Sequence, residues 1–161
     1  MAVLSVRNVS KSFDDEKIIN NIYTFNIDKI LKCSEEWYLE AAERFDDSMS
    51  TEKNGISLML KNMDKLGIVG GAIFVEDKAV AFTLGSPINS YVFNTFVEKA
   101  LLEYSAAYTV INREFALWEL SDFEYINRED DMGLEGLRKA KLSYKPVAFV
   151  KKYLCTPKVN I

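Results

Sequence analysis

Between Gly67 and Gly85 lie two apolar runs, Ile68 to Val75 and Ala79 to Leu84, separated only by Glu76-Asp77-Lys78. Three polar residues suffice for a tight turn. Apolar flanks that hardly alternate with polar residues read as strands buried on both faces, so the stretch predicts an antiparallel hairpin inside a layered domain. Gly70-Gly71 leads into a strand and not a helix, which removes it as a phosphate loop; glycine there permits a bulge or close packing.

The flanking segments have helical spacing. Ser34 is the expected N-cap, with Glu35 and Glu36 in the first turn of a helix whose face is Tyr38, Ala41, Ala42, Phe45 and Met49. Ile56, Met59, Leu60, Met63 and Leu66 repeat the i, i+3, i+4, i+7 pattern up to the terminator Gly67. Methionines at that spacing fill a core more readily than they line a binding groove. After a loop over 85–90, Tyr91 to Glu98 reads as a strand closed by Glu98-Lys99-Ala100. Tyr104, Ala107, Tyr108, Ile111, Phe115 and Trp118 then form a stripe that should pack on the sheet. A strand at Tyr125-Ile126, a helix near Gly133 and a strand from Val147 to Leu154 complete the order.

Tyr125 to Pro146 is a strand end, an acidic turn and a basic helix stopped by proline. Asp130 and Asp131 are placed to cap that helix, and Lys139, Lys141 and Lys145 lie where its dipole favours cations. The run Ile126-Asn127-Arg128-Glu129-Asp130-Asp131-Met132-Gly133-Leu134-Glu135-Gly136-Leu137-Arg138-Lys139-Ala140-Lys141 resembles the signature of a bacterial family related to the C-terminal domain of phosphatidylglycerol lysyltransferase. Gly136-Leu137-Arg138, Lys141, Pro146 and Tyr153-Leu154 are similar to the end of the lipid lysyltransferases themselves. The resemblance covers roughly 37–154. It implies an α/β, GNAT-like (acyl-CoA N-acyltransferase-like) mixed sheet flanked by helices, present as a single lobe. Relatives carry two such lobes and are related to Fem-type enzymes that take amino acids from charged tRNA, so a second GNAT-like lobe or a homodimer is an implied partner.

The first 27 residues have a hairpin-like pattern around Asp14-Asp15-Glu16-Lys17. Leu4 to Phe13 followed by Ile18 to Ile22 resembles the opening strands of ABC-transporter ATPases, where an aromatic at the place of Phe13 stacks on adenine. No Gly-x-x-x-x-Gly-Lys-Ser/Thr occurs anywhere, so no phosphate cradle exists and no nucleotide binding is expected. The division expected from sequence is a leader over 1–33, a GNAT-like domain over 34–156 and a tail over 157–161.

With 161 residues, 48% of them hydrophobic, the chain is long enough for one folded domain. Its net charge of −4 argues against a generally nucleic-acid-binding surface. The distribution is uneven: residues 134–161 hold seven basic residues and one acidic (+6), and residues 34–133 hold eight basic and 19 acidic (−11). A basic edge on an acidic body suits a phosphate-rich partner, though a solvated helix end has the same pattern. There is no histidine, which removes the usual general base and the Ser-His and Cys-His dyads. Cys33 and Cys155 have no zinc-like spacing and are expected as reduced thiols; no metal or cofactor is called for. No apolar run reaches the roughly 18–20 residues of a membrane span, so a cytoplasmic protein with at most peripheral membrane contact is expected.

Acyl transfer needs an acceptor proton removed, an oxyanion stabilised and the donor held in line. Glu98 at a strand end and Glu129 after the next strand are the candidate catalytic carboxylates. Asn112, Asn127, Arg128, Arg138, Lys139 and Lys141 are candidates for binding substrate, with an aminoacyl-tRNA or an anionic lipid headgroup as the partner that the resemblance implies. Each has a structural alternative: for Arg128 an ion pair with Glu129 or Asp131, for Glu98 one with Lys99, for Asn112 a helix boundary. Acetyl-CoA enzymes hold pyrophosphate on a glycine-rich loop at a helix N-terminus, whereas Lys99-Ala100-Leu101-Leu102-Glu103 has no glycine. Two other readings stay open, a non-catalytic lobe and an acetyl-CoA N-acetyltransferase.

Overall fold

The computed structural model describes residues 11–13, 16–18, 26–42, 49–151, 153 and 155–156. Phe45, Leu154, the tail beyond 156 and the side chains of Phe13 and Met49, all used in the sequence reading, lie outside the described residues. Residues 1–129 and 130–161 form two units, described separately.

In the first unit, β1 (Lys11–Phe13) and β2 (Glu16–Ile18) pair antiparallel. Then come α1 (Ile27–Ala41), α2 (Met49–Lys61) and the single turn α3 (Met63–Leu66), which ends on Gly67 in the left-handed region at φ 61. The sheet comes next: β3 (Val69–Val75), β4 (Lys78–Pro87), β5 (Val92–Ala100) and, after α4 (Ala107–Trp118), β6 (Tyr125–Asn127). Its order is β3-β4-β5-β6, antiparallel except for the parallel pair β5–β6. The expected hairpin is present. Val75 faces Lys78 across the turn, and Glu76 takes a positive φ of 53 there.

The core forms where the two apolar strands meet the helices. Ile30, Cys33, Ile56, Leu60, Phe82 and Leu84 are among its buried members. A second cluster sets Phe93 edge-on to Phe115 of α4 and to Phe123, with ring centroids 5.9 and 5.2 Å apart. Two glycines admit these rings. A Cβ on Gly71 would lie 3.2 Å from the Phe115 ring, and one on Gly85 2.3 Å from the Phe93 ring and 2.4 Å from the Asn94 carbonyl. Close packing is therefore the role of Gly71.

The β4–β5 register slips once. Leu84 faces Val97 and Gly85 faces Thr95, leaving Phe96 unopposed as a bulge. Alternation changes phase there, so Phe93 and Thr95 share a face with Glu98, and Lys99 points to the other face.

Several expectations are corrected. α1 begins at Ile27, capped by Asn26, whose Oδ1 accepts from Lys29 N at 3.2 Å; Ser34 is buried mid-helix and caps nothing. Asn26-Ile27-Asp28 is an equally good start signal, hidden by apolar neighbours that read as strand. Ala42, Leu66 and Trp118 are exposed despite falling on predicted stripes; the Trp118 indole instead donates to Glu114 at 2.8 Å. β5 runs on to Ala100, and a 3-10 turn (Leu102–Tyr104) precedes α4.

In the second unit, α5 spans Glu135–Ser143, two residues later than expected, and its N-cap Leu134 makes no side-chain cap. Asp130 and Asp131 are engaged upstream: they accept from Met132 N and Gly133 N, each at 2.9 Å, and so hold Met132 (φ 53) and Gly133 (φ 76) in left-handed geometry. The predicted strand from Val147 to Leu154 is not formed among the described residues, where Val147, Phe149, Val150 and Tyr153 are exposed. An apolar run makes a strand only with a ladder partner, and none of the described residues supplies one.

Candidate functional site

β5 and β6 pair over three residues only, Val92–Asn94 with Tyr125–Asn127, after which β5 continues paired with β4 alone. Beyond the last pair, Arg128 reaches along β5 to Glu98. Its Nη1 and Nη2 donate to Glu98 Oε2 and Oε1, both at 3.0 Å, in the planar fork that guanidinium and carboxylate favour. Both side chains are largely withdrawn from water, Glu98 at 14% and Arg128 at 24% exposure. Asn112 of α4 completes the cluster. With its amide oxygen toward Arg128 it accepts from both guanidinium nitrogens; turned about, its Nδ2 stands 3.4 Å from Glu98 Oε2. The first orientation satisfies every group, because the carboxylate already receives two donors from the arginine.

A second constellation lies at the same strand ends. Asn127 Oδ1 accepts from Glu129 N at 2.9 Å, and Asn94 Nδ2 donates to Glu129 Oε1 at 2.8 Å. This holds Glu129 at φ 56, a conformation that costs energy for any side chain other than glycine and persists only where neighbours impose it. Nearby on β5, Thr95 is 5% exposed, and neither its Oγ1 nor the buried Oδ1 of Asn94 has a hydrogen-bond partner among the described residues.

The segment after β5 is unlike a phosphate loop in charge as well as in sequence. Leu102 N donates to Glu40 Oε2 of α1 at 2.8 Å, and the N–H groups of Tyr104 and Ser105 go to Leu101 and Leu102 carbonyls. A carboxylate thus sits on an N–H that would otherwise face an anion.

Glu98, Asn112 and Arg128 are therefore brought together, and Asn127 and Glu129 meet each other. Arg128 pairs with Glu98, and Lys99 with Glu52. Arg138, Lys139 and Lys141 belong to the other unit. There Arg138 grips Asp131, its Nη2 reaching Oδ1 at 3.1 Å, Lys141 donates to the Asp130 carbonyl at 2.6 Å, and Lys139 is exposed. Asn94 and Glu40 escaped the sequence reading. Asn94 had a signal, a polar residue inside an apolar strand; Glu40 had none, being 62 residues from its partner.

The Arg138 guanidinium, helped by Gly133 N–H, holds the Asp131 carboxyl down at about 2 from an ordinary 3.8. A depressed carboxylate contributes stability that is complete above its unfolded value and lost as pH falls through the folded one. Carboxyl NMR should accordingly place the Asp131 midpoint near 2, and Arg138→Ala should return it toward 3.8; an unchanged midpoint in the variant would dismiss the pair. Cys33, buried in α1, has its thiol pushed up to about 12 by burial, so alkylating reagents should reach the exposed Cys155 first. Among the described residues no group of three or more His, Cys, Asp or Glu side chains is arranged for a metal ion, and no helix is long and apolar enough to cross a membrane.

A mixed four-stranded sheet flanked by helices, with the parallel pair β5–β6 joined by a crossover helix, is a GNAT-like fold. The sequence matches the phosphatidylglycerol lysyltransferase C-terminal family over residues 4–156, and the chain belongs to that family. Its structure is similar to a conserved protein of unknown function from Bacteroides thetaiotaomicron VPI-5482, at 42% identity and TM-score 0.70 over 76% of this chain; the chain spans 41% of that protein. The fold is also shared with a possible acetyltransferase from Clostridium difficile 630, at 13% identity, TM-score 0.56 and coverage of 84% of this chain and 95% of that one. An aminoglycoside acetyltransferase from an uncultured soil metagenomic sample, crystallised with sisomicin, is similar at 12% identity, TM-score 0.55 and coverage of 84% and 91%. A search of curated proteins returns no significant match.

Proposed function

We propose that this lobe transfers an aminoacyl group from a charged tRNA to an amine or hydroxyl acceptor, such as a lipid headgroup. The observation that carries the choice of donor is Glu40 on Leu102 N. Where acetyl-CoA enzymes present unpaired N–H groups to a diphosphate, this chain presents a carboxylate and no glycine, which disfavours coenzyme A and leaves the ester of a charged tRNA as the donor. Family membership supports the same reading.

In this reading the acceptor oxygen or nitrogen attacks the ester carbonyl carbon, the bond from that carbon to the ribose oxygen breaks, and the acceptor proton passes to the departing ribose oxygen. Glu129, exposed and held by Asn94, is assigned to carry that proton. Arg128 is assigned to the charge developing on the carbonyl oxygen, with Asn127 fixing the turn that presents it. Glu98, with both oxygens on the guanidinium, orients Arg128, and Asn112 does so from α4.

On α5, Lys139 is assigned to phosphate contact, while Arg138 and Lys141 also hold the acidic turn. Binding of tRNA should then weaken with salt, and Lys139→Glu should lower the log–log slope by about one or less.

The test supplies the chain with tRNA carrying a labelled amino acid and with anionic vesicles, and in parallel with acetyl-CoA. Labelled lipid should form. Arg128→Lys, which keeps the charge and loses the fork, should reduce the rate by about 10²-fold, as loss of an oxyanion donor does. Glu129→Gln should abolish transfer with tRNA binding intact. Saturable acetyl-CoA binding without tRNA binding would reverse the proposal. The engagement of both Arg128 Nη atoms by Glu98 favours a second reading, a binding lobe without chemistry; tRNA or lipid binding with no transfer would establish it.

A further inference from the structure

Glu98 and Lys99 are neighbours on β5 but face opposite sides of the sheet. Lys99 is 9% exposed, and its ammonium lies 3.8 Å from the centroid of the Trp37 ring and 5.4 Å from that of Tyr38. It donates to both oxygens of Glu52 on α2, at 3.0 and 3.2 Å, and the Tyr38 hydroxyl donates to the same carboxylate at 2.7 Å. The Trp37 indole N–H in turn donates to the Tyr108 hydroxyl at 2.9 Å.

Four elements thereby meet in one knot: α1 through Trp37 and Tyr38, α2 through Glu52, β5 through Lys99 and α4 through Tyr108. Two of the four also carry the candidate site. Lys99 is adjacent in sequence to Glu98, and Tyr108 stands one helical turn before Asn112. An ammonium so far from water is retained only with a partner and a favourable ring face. Burial lowers its proton affinity and Glu52 works against that, so the charge and its setting are coupled.

We propose that Lys99, with Trp37 and Tyr108, is a positioning residue for the Arg128 cluster: it locks the β5 end and the α4 start in one register, so that Glu98 and Asn112 converge on a single guanidinium. The functional meaning of this rests on the transfer reading, but the geometry is measurable without it. Lys99 points to the face of the sheet opposite Glu98, so its effect on Arg128 would be transmitted through β5 and α4.

The test is NMR of the Arg128 guanidinium in the full chain. Wild type should give slowly exchanging Nη protons. Lys99→Met keeps the stem and removes the charge, and Tyr108→Phe removes one acceptor; each should speed that exchange several-fold and move the Arg128 resonances. Lys99→Arg, which keeps a cation able to stack on Trp37, should restore them in part. Leu60→Ala, a core substitution on α2 outside the knot, is the control for general loosening. Arg128 signals that stay at their wild-type positions in both Lys99→Met and Tyr108→Phe, or that move equally in Leu60→Ala, would overturn the proposal. If transfer activity is absent while the signals move as expected, the transfer reading fails and the positioning role stands.

Discussion

Gly85→Ala is expected to be among the most damaging substitutions of minimal size in this chain. The added methyl would sit 2.3 Å from the Phe93 ring and 2.4 Å from the Asn94 carbonyl, far inside contact distance. The ring has no retreat, being set edge-on to both Phe115 and Phe123. Overpacking in such a place costs about 1–3 kcal/mol and sometimes more, and the upper end is expected because one of the two clashing groups is backbone. Urea unfolding should show it. Phe93→Leu in the same chain should recover only part of the loss, since the carbonyl remains; full recovery would mean that the strands separate more easily than their register implies.

The second large effect concerns the ion pair on β5. Arg128→Met leaves the Glu98 carboxylate in a site from which water is mostly excluded. Removing one partner of a buried pair costs about 3–5 kcal/mol, and replacing both by apolar groups is often close to neutral. Arg128→Met should therefore fall near the lower end, because both groups keep some contact with water, and Glu98→Leu with Arg128→Met should regain most of the stability. If the single and double variants unfold alike, the pair is contributing packing and not charge compensation. A folded double variant would also be the natural control for transfer, stable but without its guanidinium.

Local pattern carried far in this chain. The hairpin from Ile68 to Leu84 was legible in uninterrupted apolar runs, and Ile56, Leu60, Ile111 and Phe115 in helical spacing, because burial at a fixed period is written in the residues themselves. Failures came where a partner decides. Asn26 and Ser34 are both sound caps, and only the packing of Ile30 and Cys33 selects the first. Asp130 and Asp131 have the chemistry of helix caps, yet the left-handed residues after them take their oxygens. Val147 to Val150 has the apolar run of a strand and, among the described residues, no ladder. At the candidate site the residue types were readable one by one: Glu98, Asn112 and Arg128 were each selected, but the sequence pointed to near neighbours as partners for Glu98 and Arg128 and to a helix boundary for Asn112. Contacts spanning 30 residues, as between Arg128 and Glu98, have no local signature.

The unopposed Phe96 has a consequence for chain length. It works like a spacer letter between two phrases: the residues on either side of it each match β4 correctly, and only the letter itself matches nothing. Losing one residue here would close the ladder and leave Glu98 and Lys99 aimed at the same layers as before, whereas a one-residue slip of the half that follows it, residues 97–100, against β4 would exchange the carboxylate and the ammonium between the two layers. Natural variation in the length of this strand should accordingly collect at this position.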